Sequence, residues 1–449
     1  MSTRPTFRRP EPRGSGAATP RVPGFFSSRV AAGGIDAVLD ALRSGQLPYP
    51  LVDRRPSDAE ATEDDAPAQA YVTFLWVDTP GEDPVRSVIL SANALVDHEQ
   101  LEACEFEPVR EGLWAITLQV PTDWVASYRI TPHRGAGPAP WRTETERRAI
   151  RLAADTGGTD PLNPHVSASM NGAPVSVVYG PDAKRNEHLA PATPDRQRTG
   201  PAIGGWGGAA DAEPAVEHPR LSRHVLWDEN CARERNLWMY RPPHGGQDSP
   251  LVIVHDGATW VNYLNIAASL DAAINAGTLA PLHVMFVDST TVQIRSAELP
   301  VASGTTASLA TQFLPWAREF FPVSALPEHT LVTGSSFGGL AALLAVTEHP
   351  QLFGRALAQS PSLWHTDLSS ALGDLAPQVH VTIQAGCYET EIFTSCEQVL
   401  EALAGSESAR RIGFEPISGG HDWAWWAPRL LTGLSRFFPG EAREPGRLR

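Results

Sequence analysis

The first long amphipathic pattern runs from Ser27 to Leu47, where Val30, Ile35, Val38, Leu39 and Leu42 recur at helical spacing. An acidic stretch from Pro56 to Pro67 follows and reads as a loop. Between Ala70 and Pro132 the period changes. Tyr71–Val77, Val85–Leu90, Gly112–Val120 and Ser127–Thr131 are short runs rich in β-branched and aromatic residues, with turn residues such as Pro80-Gly81 and Pro121-Thr122-Asp123 between them. Strands of this length and spacing predict an all-β, Ig-like sandwich. Asp160-Pro161-Leu162-Asn163-Pro164 is expected to close that module as a rigid turn.

Beyond Arg220 the texture is different. Leu237–Tyr240, Leu251–Val254, Val284–Val287, Thr330–Thr333, Ala356–Ala358, Val379–Ile383 and Gly413–Ile417 are apolar runs separated by helical stretches. Such runs predict a mainly parallel sheet buried on both faces and flanked by helices, an α/β-hydrolase-like architecture. The intervening segment is crowded with Pro, Gly, Ala and Asp and reads as a connector, with Trp206 anchored to one of its neighbours. The expected organisation is therefore a tail (1–23), a β-sandwich substrate-binding domain (24–180), a linker (181–219), a catalytic α/β domain (220–440) and a second tail (441–449).

A chain of 449 residues with 42% hydrophobic content suits two such cores. The net charge of −15 argues against a nucleic-acid partner, and it requires any anionic ligand to find a locally basic pocket. The four cysteines (Cys104, Cys231, Cys387, Cys396) form no CxxC pair, so a zinc site or disulfide framework is not expected and a reducing compartment fits. Arg8 and Arg9 sit in a basic start without the apolar run of a signal peptide, and no window reaches membrane-spanning length. A cytoplasmic protein without a membrane partner is the expectation.

The chemistry concentrates in the second half. Gly334-Ser335-Ser336-Phe337-Gly338 matches G-x-S-x-G, after a predicted strand and before an Ala/Leu-rich helix, the context a nucleophile elbow requires. Ser336 holds the central position and Ser335 does not. A serine needs a base, and His421 in Gly419-Gly420-His421-Asp422-Trp423 follows the last predicted strand. His255 is its strongest rival, but lies upstream of the serine, against the Ser…acid…His order of this architecture. The acid belongs between them; Glu389 is preferred, with Glu391 in reserve and Asp367 third. Oxyanion donors are expected from the backbone of Gly257 or Ala258, in the turn after the third strand of the sheet, and of Phe337.

Taken together, these residues resemble the enterochelin (ferric enterobactin) esterase family. The resemblance rests on Val254-His255-Asp256-Gly257-Ala258-Thr259-Trp260, Arg295-Ser296-Ala297-Glu298-Leu299, Gly334-Ser335-Ser336-Phe337-Gly338-Gly339-Leu340, Gln359-Ser360-Pro361-Ser362-Leu363-Trp364 and Gly419-Gly420-His421-Asp422. Val72–Trp76, Pro121 with Trp124 and Ser127-Tyr128, and the 160–164 turn are similar to the family's sandwich module. Ser335 departs from the glutamine that many relatives carry there. The resemblance implies serine-dependent cleavage of the trilactone of a ferric catecholate siderophore, with no cofactor or metal of the protein's own. It also makes Arg295 a candidate contact for catecholate oxygens and Trp260 or Trp364 candidate stacking surfaces, against structural readings: an Arg295–Glu298 ion pair and tryptophans in the core. The competing functions are another esterase or acyltransferase of the same architecture, a siderophore-binding protein without catalysis, and a carbohydrate-binding module on a glycosidase. The last lacks an identifiable pair of catalytic carboxylates.

Overall fold

The computed structural model describes residues 21, 22, 24, 27–55, 68–79, 83–95, 101–195 and 217–441. The Pro56–Pro67 loop, the Pro80-Gly81 turn, Trp206 and most of both tails lie outside them. Arg21, expected in the tail, instead bridges to Leu118 and pairs with Glu107.

Eight strands build the amino-terminal half: β1 (Leu51–Arg54), β2 (Gln69–Val77), β3 (Ser87–Ala92), β4 (Glu107–Arg110), β5 (Leu113–Pro121), β6 (Val125–His133), β7 (Val166–Ala168) and β8 (Pro174–Tyr179). They form two four-stranded antiparallel sheets, ordered β1-β2-β5-β4 and β3-β6-β8-β7. The sequence reading missed β1, β4, β7 and β8, and the module does not close at the 160–164 turn, because β7 and β8 follow it. β1, β4 and β7 are edge strands too short to show alternation, whereas β8 is an interior strand buried at consecutive positions, which erases the alternation.

Alternation along the strands explains the packing. Val72, Phe74, Ile116 and Leu118 face Val88, Leu90, Tyr128 and Ile130 across the sandwich core. On the outer face of the first sheet, Leu75, Leu113 and Ala115 meet Val38 and Leu39 of the helix Ser28–Arg43. Each such buried Leu or Phe contributes roughly 1.5–3 kcal/mol. The outer face of the second sheet, through Val125, Ala168 and Val177, instead packs against the carboxy-terminal half and its last helix, Trp423–Phe437.

That half holds β9 (Leu221–Asp228), β10 (Arg233–Tyr240), β11 (Leu251–His255), β12 (His283–Val287), β13 (Thr330–Ser335), β14 (Arg355–Gln359), β15 (His380–Gly386) and β16 (Ile412–Ile417). They form one sheet in the order β16-β15-β14-β13-β11-β12-β10-β9. β16 through β12 run parallel, whereas β10 and β9 pair antiparallel at one edge. Residues on both faces are buried, in two apolar clusters. Continuous apolar runs are the sequence expression of that double burial.

The connector is not extended chain as far as it is described. Asp182 N–H donates to Thr122 O, Thr193 N–H to Tyr263 O, and Asp195 N–H to Gly172 O. Residues 182–195 therefore lie tied to both halves.

Candidate active site

Ser336 follows β13 directly and opens the helix Phe337–Glu348, with φ 60° and ψ −119°. Positive φ at a non-glycine residue costs of order 1–3 kcal/mol, and the surroundings enforce it. Ser336 N–H donates to Gln359 O and its carbonyl accepts from Leu340 and Ser362 N–H. Two glycines let the turn close: a Cβ at Gly334 would lie 2.8 Å from the Gly338 carbonyl carbon, and one at Gly339 would lie 2.7 Å from Gln359 O. The elbow thus holds the serine at a helix N-terminus, where unpaired N–H groups and the helix dipole favour negative charge.

His421 lies on the loop between β16 and the last helix. Its Nδ1 is 2.5 Å from Glu389 Oε1. The other carboxylate oxygen of Glu389 accepts from Gly386 N–H at 2.7 Å and from Ser360 Oγ at 2.8 Å. Glu391 is exposed in the first turn of the helix Thr390–Ala402, and Asp367 receives hydrogen bonds from Ser369 at the surface. Of the three acids considered, Glu389 is the one that meets the imidazole.

The loop carrying His421 is clamped by the sandwich. Val125 N–H donates to Ser418 O, Ser127 N–H to Asp422 Oδ2 at 2.5 Å, and Asn93 Nδ2 to His421 O at 2.9 Å. Asp422 also caps the last helix through Ala424 N–H, and burial raises its carboxyl above the ordinary value.

Between the halves lies a cavity of about 590 Å³. The α/β half lines it with Ser336, Phe337, Ser362, Trp364, Glu389, His421 and Trp426; the sandwich half adds Asn93, Ser127, Ala168, Met170 and Val175. Ser336 Oγ is 3.3 Å from Ser362 Oγ. Trp364 is 48% exposed and its ring lies 6.1 Å from that of Phe337, so it presents a stacking surface.

Several expected roles are not met in this arrangement. Trp260 is buried, donates to His255 O and packs edge-on against Trp423; it belongs to the core, outside the cavity lining. Arg295 reaches the cavity wall, yet its guanidinium is committed. Nε and Nη2 donate to both oxygens of Asp256 at 2.7 and 2.8 Å, and Nη2 also to Ser335 O. The structural alternative named the wrong acid: Arg295 pairs with Asp256, while Glu298 pairs with Arg233 and Arg235. The ion pair braces the turn beneath the elbow, with the guanidinium 5.9 Å from the Phe337 ring centroid. Gly257 and Ala258 open the helix Gly257–Asn262 but are absent from the cavity lining; Ala258 borders a small adjoining hollow that shares Met170, Val292 and Arg295 with it. Phe337 does line the cavity, and as the first residue of its helix it offers an N–H there.

His255 is fully buried, burial pushes it down to about 4, and neither ring nitrogen has a hydrogen-bond partner among the described residues. It is neutral at pH 7 and sealed from the cavity. Sequence reasoning gave no role to Asn93, Ser127, Ser360, Ser362 or Trp426, although Ser127, Ser360 and Ser362 stand in the motifs that carry the resemblance. Gln359-Ser360-Pro361-Ser362 held a signal: two hydroxyls two residues apart after a central strand can reach opposite ends of one site.

Among the described residues no cluster of three or more His, Cys, Asp or Glu is arranged to hold a metal ion, and no helix is long and apolar enough to cross a membrane.

Known proteins align with both halves. An enterochelin esterase N-terminal family model matches residues 71–189, and an esterase model described as "Putative esterase" matches 229–437. An iron(III) salmochelin esterase of Escherichia coli is 27% identical over 434 residues, covering 91% of this chain and 95% of the relative. An iron(III) enterobactin esterase of Dickeya dadantii is 29% identical, covering 82% and 88%. The crystal structure of a ferric enterobactin esterase from Salmonella typhimurium superposes with a TM-score of 0.68 at 23% identity, covering 86% of this chain and 96% of that one.

Proposed function

Since the chain belongs to the enterochelin esterase family, we propose that it hydrolyses the ester backbone of a ferric catecholate siderophore such as enterobactin, using Ser336, His421 and Glu389. The observation that carries this reading is the Glu389–His421 hydrogen bond on the wall of the same cavity that receives the strained elbow serine.

With Nδ1 committed to Glu389, the Nε2 of His421 is the nitrogen that accepts the Ser336 proton. The serine oxygen attacks the ester carbonyl, and the oxyanion is met by the N–H of Phe337 at the start of its helix. Collapse expels the substrate's seryl alkoxide, which takes the proton from His421 and leaves an acyl-enzyme. Water, deprotonated by the same histidine, releases the acid. Glu389 keeps the imidazole oriented and stabilises its charged form. Phe337 and Trp364 give the aromatic arms a surface to lie on. Iron enters only as part of the substrate, and opening the lactone lowers the effective concentration of catechols around the metal, which eases its release. A cytoplasmic site of action accords with four cysteines that are all free.

Incubation with ferric enterobactin, followed by mass spectrometry, is expected to show linear fragments with the native chain. Ser336→Ala is expected to lower kcat by at least about 1,000-fold while still binding the ligand. Unchanged turnover in that variant contradicts the proposal.

A further inference from the structure

We infer that Ser360, with Trp426 behind it, is a positioning residue that fixes the orientation of Glu389 toward His421; the inference rests on the assignment of those two residues to the reaction. Ser360 is the first residue after β14, fully buried, with φ 45° in the left-handed region. A serine there carries backbone strain that glycine would avoid, which indicates that the side chain is what the position requires.

The hydrogen-bond polarity around it has one solution. An indole N–H only donates, so the 3.0 Å contact between Trp426 Nε1 and Ser360 Oγ occupies a serine lone pair. The serine's single hydrogen is thereby left for its other neighbour, Glu389 Oε2, at 2.8 Å. Glu389 accepts there from Ser360 and Gly386, and its Oε1 faces His421. A chain of donors thus runs from Trp426 through Ser360 to Glu389, while His421 donates from the opposite side. Trp426 touches both ends: its ring meets that of His421 edge-on at 4.7 Å between centroids. The backbone holds the chain in place, because Ser360 N–H donates to Gln384 O and Gln359 Nε2 to Trp426 O. Without the Ser360 hydroxyl, the Oε2 of Glu389 keeps only the Gly386 N–H, and the carboxylate is held less firmly toward His421.

Ser360→Gly removes the hydroxyl and relieves the strain, so loss of activity cannot be ascribed to backbone distortion. With ferric enterobactin as substrate, kcat is expected to fall about tenfold while KM stays within about twofold. The acid limb of the kcat/KM profile should move to lower pH, since a poorly held carboxylate stabilises the imidazolium less. Trp426→Phe keeps the ring and deletes the donor; a loss of about threefold with the limb moving the same way is expected. The double variant should be no slower than Ser360→Gly within about twofold, because the indole acts through the serine. Native kcat and an unmoved limb in Ser360→Gly overturn the inference, as do multiplicative losses in the double variant. If Ser360→Gly does not fold, Trp426→Phe decides alone, an unmoved limb overturning it. Activity surviving in Ser336→Ala would overturn the proposed reaction itself, which is a different result from native behaviour in Ser360→Gly.

Discussion

The two halves of the molecule meet at one cavity and contribute different things to it. The α/β half supplies the reactive groups, each at the carboxyl end of a parallel strand or in the loop beyond it: Ser336 after β13, Glu389 after β15, His421 after β16. The sandwich half supplies a wall and a clamp. Its strand β6 and Asn93 hold the Ser418 and His421 carbonyls and the Asp422 carboxylate, so the histidine loop is tethered from outside the sheet that carries the serine. Reactive side chains are thus arranged by one core, while the geometry between two of them depends on docking of the other. Separating these contributions is what the following substitutions test.

The largest contrast lies within the α/β half. His421→Ala is expected to lower kcat by about 1,000-fold or more, whereas His255→Leu should keep activity within about threefold at pH 7. Steady-state kinetics on a soluble ester distinguishes them. Comparable losses in both would mean that the buried histidine takes part.

Across the interface the effect should be smaller. Asn93→Ala removes the donor to the His421 carbonyl and is expected to lower kcat about fivefold, the equivalent of one ordinary hydrogen bond. A change confined to KM would reduce the sandwich to a substrate-facing wall.

The smallest contrast concerns pH, where one buried group in each half, His255 and Asp160, should respond with opposite signs. Burial pushes His255 down to about 4 from the ordinary 6.5, so the unfolded chain binds more protons between those values. Its contribution is complete above pH 6.5 and is lost as pH falls toward 4. Asp160, buried under Tyr128 in the sandwich, is pushed up to about 6 from 3.8. Its contribution is complete below pH 3.8 and is lost as pH rises through about 6. Melting temperatures between pH 4 and 7 should therefore depend less on acid in His255→Leu, and should fall less from pH 4 to 6 in Asp160→Asn.

The same division governs how much was legible in the sequence. The parallel strands stood out because double burial writes continuous apolar runs, and the elbow stood out because its glycines are sterically compelled. Glu389 and His421 could be placed because strand order fixes which loops share an end of the sheet. Trp260 and Arg295 stayed open between ligand and structure because an aromatic or cationic residue beside a functional motif looks the same whether it faces ligand or core; Asp256, 39 residues away along the chain, decides where Arg295 points. The roles of Asn93 and Ser127 at the site were invisible for a related reason. Their partners lie some 300 residues downstream, in a contact made only when two separately patterned cores dock.

The central claim is that Ser336 is an activated nucleophile driven by His421. Labelling with a fluorophosphonate, followed by peptide mass spectrometry, tests it directly. The account predicts one label per chain, on Ser336, formed at a rate that falls at least about 100-fold in His421→Ala. A label on another residue, or equal rates with and without the imidazole, would contradict it.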